Sequence, residues 1–315
     1  MKTPEGFDAL REAGYSFSPF DSPRQFKMQA DILDVAIKTI SGLTTESGIV
    51  RDTAYLVLDG LMAAPKGFEF FPRFPKEEVA QFCRLAAENR LNQAPIPIVC
   101  PVCPDYCGHY QLLDGISNPA QSVLNKTATL KDFFGRRNFH FFIQMHMADV
   151  EAYEPLILKA SGETTESFLK KTANSIIITR KKIEELGLSE LIQIESMQAI
   201  FVAAGLDYFE LKRTNAQKIK VSESRKVRRV MESLMTERRH LGDFNLVDPA
   251  NQPAMAAEEL ANYSAYGDLI NGQAVILSPD TLSPIPAYNF LRGEQELFNP
   301  TIYLKNVKIP YGRYD

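Results

Sequence analysis

The chain has 315 residues, 45% of them hydrophobic and 23% charged. That length can bury a large core as one large domain or two ordinary ones, and a net charge of −4 excludes wholesale nucleic-acid binding while leaving room for a local basic patch. No run approaches the roughly 18 apolar residues of a membrane span, and Met1-Lys-Thr-Pro-Glu5 lacks the layout of a secretory signal, so the expected compartment is the cytoplasm, where the four cysteines would be reduced.

In chain order, Ser22-Pro23 reads as an N-cap and first residue of an amphipathic helix through Ile40, since proline costs little where the amide has no partner. Residues 48–62 fit a second helix or, through 54–58, a short strand. The aromatic stretch 68–75 reads as an irregular connector, and Pro75-Lys-Glu-Glu78 opens a helix to about Leu91 with its acidic residues in the first turn. From Pro95 onward apolar, β-rich runs alternate with helical ones, the pattern of parallel strands joined by crossover helices. Strands are expected at 96–100, 139–147, 191–195, 274–278 and 301–304. The clearest helix is expected over 165–186, with Leu169, Ala173, Ile176 and Ile183 on one face and Gly187 as a left-handed cap. The interval between the strands at 191–195 and 274–278 is expected to hold two or three more. The expected fold is therefore α/β: a mostly parallel, open, Rossmann-like sheet of about five strands over 95–315, with residues 1–94 a helical N-terminal extension packed on it.

Parallel strands would bring four loops to one rim: the cysteine segment after Val99, Asp149 and Glu151, Glu195 and Ser196, and Ser278-Pro-Asp280. Open α/β proteins place their chemistry at that edge. In Cys100-Pro-Val-Cys103-Pro-Asp105-Tyr106-Cys107-Gly-His109, the C-x2-C spacing suits a soft metal. A second pair is missing, so Cys107 and His109 would have to complete any zinc site. Cys100 and Cys103 are also candidate nucleophiles, and otherwise small apolar residues packing a Pro-rich loop. In Met145-His-Met-Ala-Asp149-Val-Glu151, two carboxylates one residue apart could share a divalent ion or grip substrate hydroxyls, and acidic residues also cap helices that follow strands. His140 and His146 share a face by period two and are expected as hydrogen-bonded core histidines.

Between Lys218 and Arg239 eight basic residues meet three acidic ones, with Val227, Val230, Met231 and Leu234 at helical spacing. Such a basic amphipathic helix is either a solvated outer face or a phosphate clamp in which Arg225, Arg228 and Arg229 hold an anion near the rim, with Arg292 a second anion binder. No G-x-G-x-x-G, G-x-x-x-x-G-K-[ST], H-E-x-x-H or G-x-S-x-G occurs, which weakens the common hydride-transfer, phosphate-loop, metalloprotease and serine-hydrolase explanations.

The Pro-rich loop after one strand and the acidic residue after the next resemble the layout of isonitrile synthases, and the basic helix on such a sheet resembles the tRNA-dependent cyclodipeptide synthases. Neither resemblance extends to a residue-by-residue signature. What they imply is an amino-acid transferase, isonitrile-forming or tRNA-dependent. The residues themselves point to a transferase acting on a small polar or phosphorylated metabolite. In that reading Asp149 and Glu151 bind a divalent metal or substrate hydroxyls, Asp105 and Tyr106 form the pocket wall, Glu195 and Asp280 contact substrate, and the thiols of Cys100 and Cys103 stand in reserve. Two other classes are expected alternatives: a module holding RNA or a protein partner through residues 218–239, and a zinc-stabilised scaffold.

Overall fold

The computed structural model describes residues 23–71, 76–104, 116–155, 158, 162–221, 228, 231, 232, 249–278 and 299–304. Helices α1 (Pro23–Ser41) and α2 (Ser47–Met62) precede strand β1 (Phe68–Phe70) and helix α3 (Lys76–Leu91). Then β2 (Ile96–Val102), α4 (Asn118–Gly135) and β3 (Phe141–Met147) alternate, and β3 runs into a 3-10 turn (Asp149–Tyr153). Helix α5 (Thr165–Glu185), β4 (Ile192–Ser196), α6 (Met197–Ala203), α7 (Tyr208–Val221), α8 (Gln252–Ile270), β5 (Val275–Ser278) and β6 (Thr301–Leu304) follow. No helix among the described residues is long and apolar enough to cross a membrane.

The expected α/β architecture is present. One six-stranded sheet runs in the order β1-β6-β5-β2-β3-β4, and every pairing is parallel except β1 with β6. The sixth strand corrects the reading of 68–75 as a connector, because Phe68, Glu69 and Phe70 pair antiparallel with Leu304, Tyr303 and Ile302. Residues 48–62 are helical throughout. Gly187 takes the left-handed conformation expected of it, with φ of 64°, and the amide of Leu188 closes the helix end onto the Ile183 carbonyl at 2.9 Å. The buried face of α5 is set by Phe168, Thr172, Ile176, Thr179 and Ile183, whereas Ala173 is exposed.

Side-chain alternation along the strands divides the core in two. Ile96, Ile98, Cys100 and Val102 of β2, Phe141, Ile143, Met145 and Met147 of β3, Val275 and Leu277 of β5, and Ile302 and Leu304 of β6 pack against α1 to α5. The opposite face contributes Val99 and Ile276 to a smaller core with Met197 and Phe201 of α6, Tyr208 of α7, and Ala265, Tyr266 and Ile270 of α8. The chain winds outward from β2 through β3 to β4 and then returns to the far side of β2 as β5. The strand order therefore reverses between β2 and β5, and the crevice outside their carboxyl ends is where open α/β sheets bind ligands.

Gly60 of α2 lies under the β1 edge, where a Cβ atom would come within 2.8 Å of Phe70 Cδ1 and 3.0 Å of Cγ. Alanine in a helix interior ordinarily gains about 0.5–1 kcal/mol over glycine, but overpacking a fully buried ring costs about 1–3 kcal/mol. Gly60→Ala should therefore lower the denaturant midpoint; a midpoint at or above that of the parent would show that Phe70 can move aside.

Candidate functional site

The parallel register sets one transverse row of side chains near the carboxyl ends of the strands. Pro101 pairs with His146 and His146 with Glu195. Val99 pairs with Ile276, so the same register carried two residues on sets Pro101 level with Ser278, which pairs with Tyr303. Since Met145 and Met147 belong to the core of α1 to α5, this row projects from the other face, toward α6, α7 and α8. Three of its members are polar yet covered, Ser278 being fully buried, His146 2% exposed and Tyr303 5%, while Glu195 at the margin is half-exposed.

Helix α8 packs on this face and meets the row at Tyr266. The Tyr266 hydroxyl is 2.9 Å from His146 Nδ1, with the two rings edge-on. One turn back, Asn262 Oδ1 accepts from the Tyr208 hydroxyl of α7 at 2.8 Å. A further turn back, Glu258 accepts from Lys212 Nζ at 3.2 Å, and Lys212 also donates to the buried carboxylate of Glu154, which follows the 3-10 turn after β3. Glu154, Lys212, Glu258, Tyr208 and Asn262 thus form one polar cluster, adjoined by the His146–Tyr266 pair.

Burial governs the protonation of these groups. Desolvation pushes Glu154 from its ordinary 4.5 up to about 7, with the Lys212 ammonium opposing and the Glu258 carboxylate reinforcing the shift. Burial alone would raise Glu258 too, but its hydrogen bond with Glu154 and the Lys212 charge leave it below the usual glutamate range. Tyr208 is held un-ionised by burial and by the neighbouring Glu154 and Glu151 carboxylates. Burial lowers His146 to about 3, so its imidazole is neutral at physiological pH.

The structure gathers some of the residues singled out in the sequence and separates others. Asp149 lies in the 3-10 turn, and both of its oxygens are engaged: one accepts from the Gln198 amide at 3.0 Å and the other from the Ser196 hydroxyl. Ser196 in turn accepts from the Ala199 amide at 3.1 Å as the N-cap of α6. Glu195 is half-exposed and paired with Arg180 of α5 at 2.8 Å. Glu151 is approached by the Cys103 thiol, 3.8 Å from Oε1. Cys100 packs fully buried among the core of α1 to α5, its thiol pushed up by burial, whereas Cys103 lies half-buried beside the other core, so the sheet separates the two sulfurs. Among the described residues no group of three or more His, Cys, Asp or Glu side chains is placed to hold a metal ion.

His140 corrects its expected place in the core: it precedes the first residue of β3 and is exposed. Arg228 is exposed, and Met231 packs on Ile219 and Leu260 as the apolar stripe required. Asp105, Tyr106, Cys107, His109, Arg225, Arg229, Asp280 and Arg292 lie outside the described residues. Two concavities formed by described residues lie away from the cluster. One of about 420 Å³ lies at the amino end of β3 beside Lys131, Arg136 and His140, and one of about 340 Å³ lies along β4 beside Arg180 and Glu184.

Sequence reasoning missed Glu154, Tyr208, Lys212, Glu258, Asn262 and Tyr266. A signal was present. Glu258, Asn262 and Tyr266 recur every four residues along α8, as Tyr208 and Lys212 do in α7, and that spacing stacks side chains on one face.

No family model matches the chain, and no curated protein is significantly similar to it. Among solved structures, the crystal structure of the PvcA protein from Pseudomonas aeruginosa is similar with a TM-score of 0.46 at 15% identity, covering 73% of this chain and 81% of that one. At that level of likeness no property of PvcA passes to this chain.

Because Asp149 ties the turn after β3 to the start of α6, Asp149→Ala should cost about 1–3 kcal/mol, the penalty of leaving buried donors unpaired. Urea denaturation monitored by circular dichroism measures it. A loss below a few tenths of a kcal/mol would show that Ser196 and Gln198 find other acceptors and that the carboxylate is free for a different task.

Proposed function

We propose that the chain is an enzyme, a transferase acting on a small polar metabolite in the crevice outside the carboxyl ends of β2, β3 and β5, with Glu154 as the group that moves a proton. The observation that carries this reading is the placement of Glu154: a carboxyl group 3% exposed, on the strand-end side of the sheet, hydrogen-bonded to Lys212 and adjoining Glu258. A carboxyl group poised near 7 is populated in both protonation states at physiological pH, and a general acid–base is most effective there. Lys212 can stabilise the carboxylate once a proton has been given up, and Glu258 disfavours it beforehand.

The charge balance narrows the substrate. Among the described residues the carboxyl groups of Glu151, Glu154 and Glu258 face Lys212 and Lys220, so the cluster has no excess of positive charge to hold a phosphoryl group and a polar uncharged metabolite is favoured over a phosphorylated one. Coverage of the polar row by α8 favours transfer to an acceptor other than water, because a covered site limits competing hydrolysis. In this reading Glu151 and Cys103 flank the crevice after β2 and β3, and Asp149 acts as a positioning residue that fixes the turn. The pairing of Asp149 with Glu151 on a divalent ion is not carried forward, since both oxygens of Asp149 already accept hydrogen bonds.

Titration of Glu154 has a defined sign. Its folded-state value lies above the unfolded 4.5, so the folded chain binds more protons between about 4.5 and 7, and the contribution of Glu154 to stability falls as pH rises through that window. In protein labelled with 13C at the glutamate carboxyl, one resonance should titrate near 7 and vanish in Glu154→Gln. A thermal-shift screen against amino acids, sugars and nucleosides supplies ligands, because anything binding only the native state raises the melting temperature. With a substrate from that screen, Glu154→Gln should lose about 100-fold or more in turnover. Full turnover by the folded variant, or the absence of any glutamate titrating near neutrality, would end the assignment.

A further inference from the structure

Among the described residues, one nitrogen of His146 has no hydrogen-bond partner. Its Nδ1 faces the Tyr266 hydroxyl at 2.9 Å, while Nε2 is buried with no hydrogen bond. Several other buried unpartnered atoms in the chain are helix hydroxyls, Thr53, Ser175 and Thr179, which need only rotate to reach a carbonyl one turn earlier. An imidazole pinned at Nδ1 has no such freedom. Its two nitrogens look in nearly opposite directions, so Nε2 is turned away from Tyr266.

The pair also fixes the tautomer. Tyr266 is buried, and among the described residues its hydroxyl has His146 Nδ1 as its hydrogen-bond partner. If Nδ1 carried the proton, the Tyr266 O–H would be stranded as well as the Nε2 lone pair. With Tyr266 donating to Nδ1, the single unmet group is an Nε2–H donor. A buried donor left unmet carries the full desolvation penalty of the group, which an acceptor from a ligand would remove. His146 occupies the polar row one strand from the reversal between β2 and β5, where a ligand in the proposed crevice would lie.

The geometry points to His146 as the substrate-recognising donor of this site: Nε2–H bonds a carbonyl or hydroxyl oxygen of the ligand, and Tyr266 is the positioning residue that holds the ring in the donating tautomer. The inference rests on the crevice being the ligand site. A neutral imidazole N–H brings no charge to offset that of an anion, so it selects an uncharged oxygen over a phosphate or sulfate. No proton leaves His146 in this role.

The test is 15N NMR of the full chain labelled at histidine, with the four histidines distinguished by His146→Gln, and acetamide as the uncharged carbonyl probe against inorganic phosphate. The expected result is a protonated Nε2 and an unprotonated Nδ1, an Nε2 resonance that shifts saturably with acetamide and not with phosphate, and a several-fold weaker response in Tyr266→Phe. As a second variant, His146→Phe with Tyr266→Phe removes both polar partners together; it should melt no lower than the parent and lose the acetamide response. It should also lose the acid sensitivity that a buried neutral histidine confers, since the folded value of about 3 lies below the ordinary 6.5 and that part of the stability is lost as pH falls from 6.5 toward 3. A proton on Nδ1, an Nε2 indifferent to acetamide, or a double variant that melts well below the parent would each overturn the assignment. If acetamide moves the Glu154 carboxyl resonance while His146 stays still, the crevice stands and this inference falls; if neither moves, both fall.

Discussion

Four neighbouring parallel strands in strict register, β5, β2, β3 and β4, are the constraint on which the rest of the molecule depends. A parallel pair keeps residues of equal register on the same face, and a slip of one residue would exchange the two faces along a whole strand. Here the exchange would be ruinous. Met145 and Met147 would leave the large core for the smaller one, and His146 would be driven among Phe141, Ile143 and their neighbours with no Tyr266 to meet it. The large apolar face therefore does more than stabilise. It fixes which residues form the polar row on the opposite side, and so which groups α8 must satisfy.

Helix α8 answers with hydrogen bonds rather than with an apolar seam alone. Its carboxyl end is itself clamped: the Asn299 side chain accepts from the Gly272 amide at 2.6 Å and donates to the Gly267 carbonyl at 3.2 Å, while Gln81 of α3 donates to the Gly272 carbonyl at 2.6 Å. A helix held this way at one end brings Tyr266 to His146 with little freedom. The far end carries Glu258 and meets Lys212. Buried ion pairs of this kind are seldom the most stable solution, because well-packed hydrophobic residues of similar volume are often as good or better. Retaining Glu154 and Lys212 as a largely buried pair, with the half-exposed Glu258 at its edge, is thus better explained by its chemistry than by its energy.

Much of the sheet was legible in the sequence. β2 to β6 are apolar runs bounded by turn residues, and their expected positions agree with the structure to within two residues at each end. β1 was not legible. Phe68-Glu-Phe70 is three residues long and carries no period of its own, and its strand character comes from β6, more than two hundred residues away. The site was legible only by place. The rim followed from strand direction, but Asp149, read as a ligand, is absorbed by the start of α6, and Glu195 by Arg180. Period two put His140 and His146 on one face, but the strand begins at Phe141, so His140 lies outside it and is exposed while His146 is buried. Glu154 and Lys212 stand in polar stretches where a charged residue is unremarkable, and nothing local announces that α8 will cover them.

The pairing of β1 with β6 has a consequence for how the chain acquires its shape. β1 is synthesised more than two hundred residues before its partner Thr301–Leu304, so that margin of the sheet stays open until β6 has been made. Until then Phe68, Phe70 and Phe71 have no strand to shelter them, and closure of so long a loop is entropically slow. Synthesis that stalled before β6 would yield a nascent product with a bare strand edge beside phenyl rings that only the helices cover, Phe70 against Phe133 and Phe71 against Phe82, the kind of species that chaperones capture.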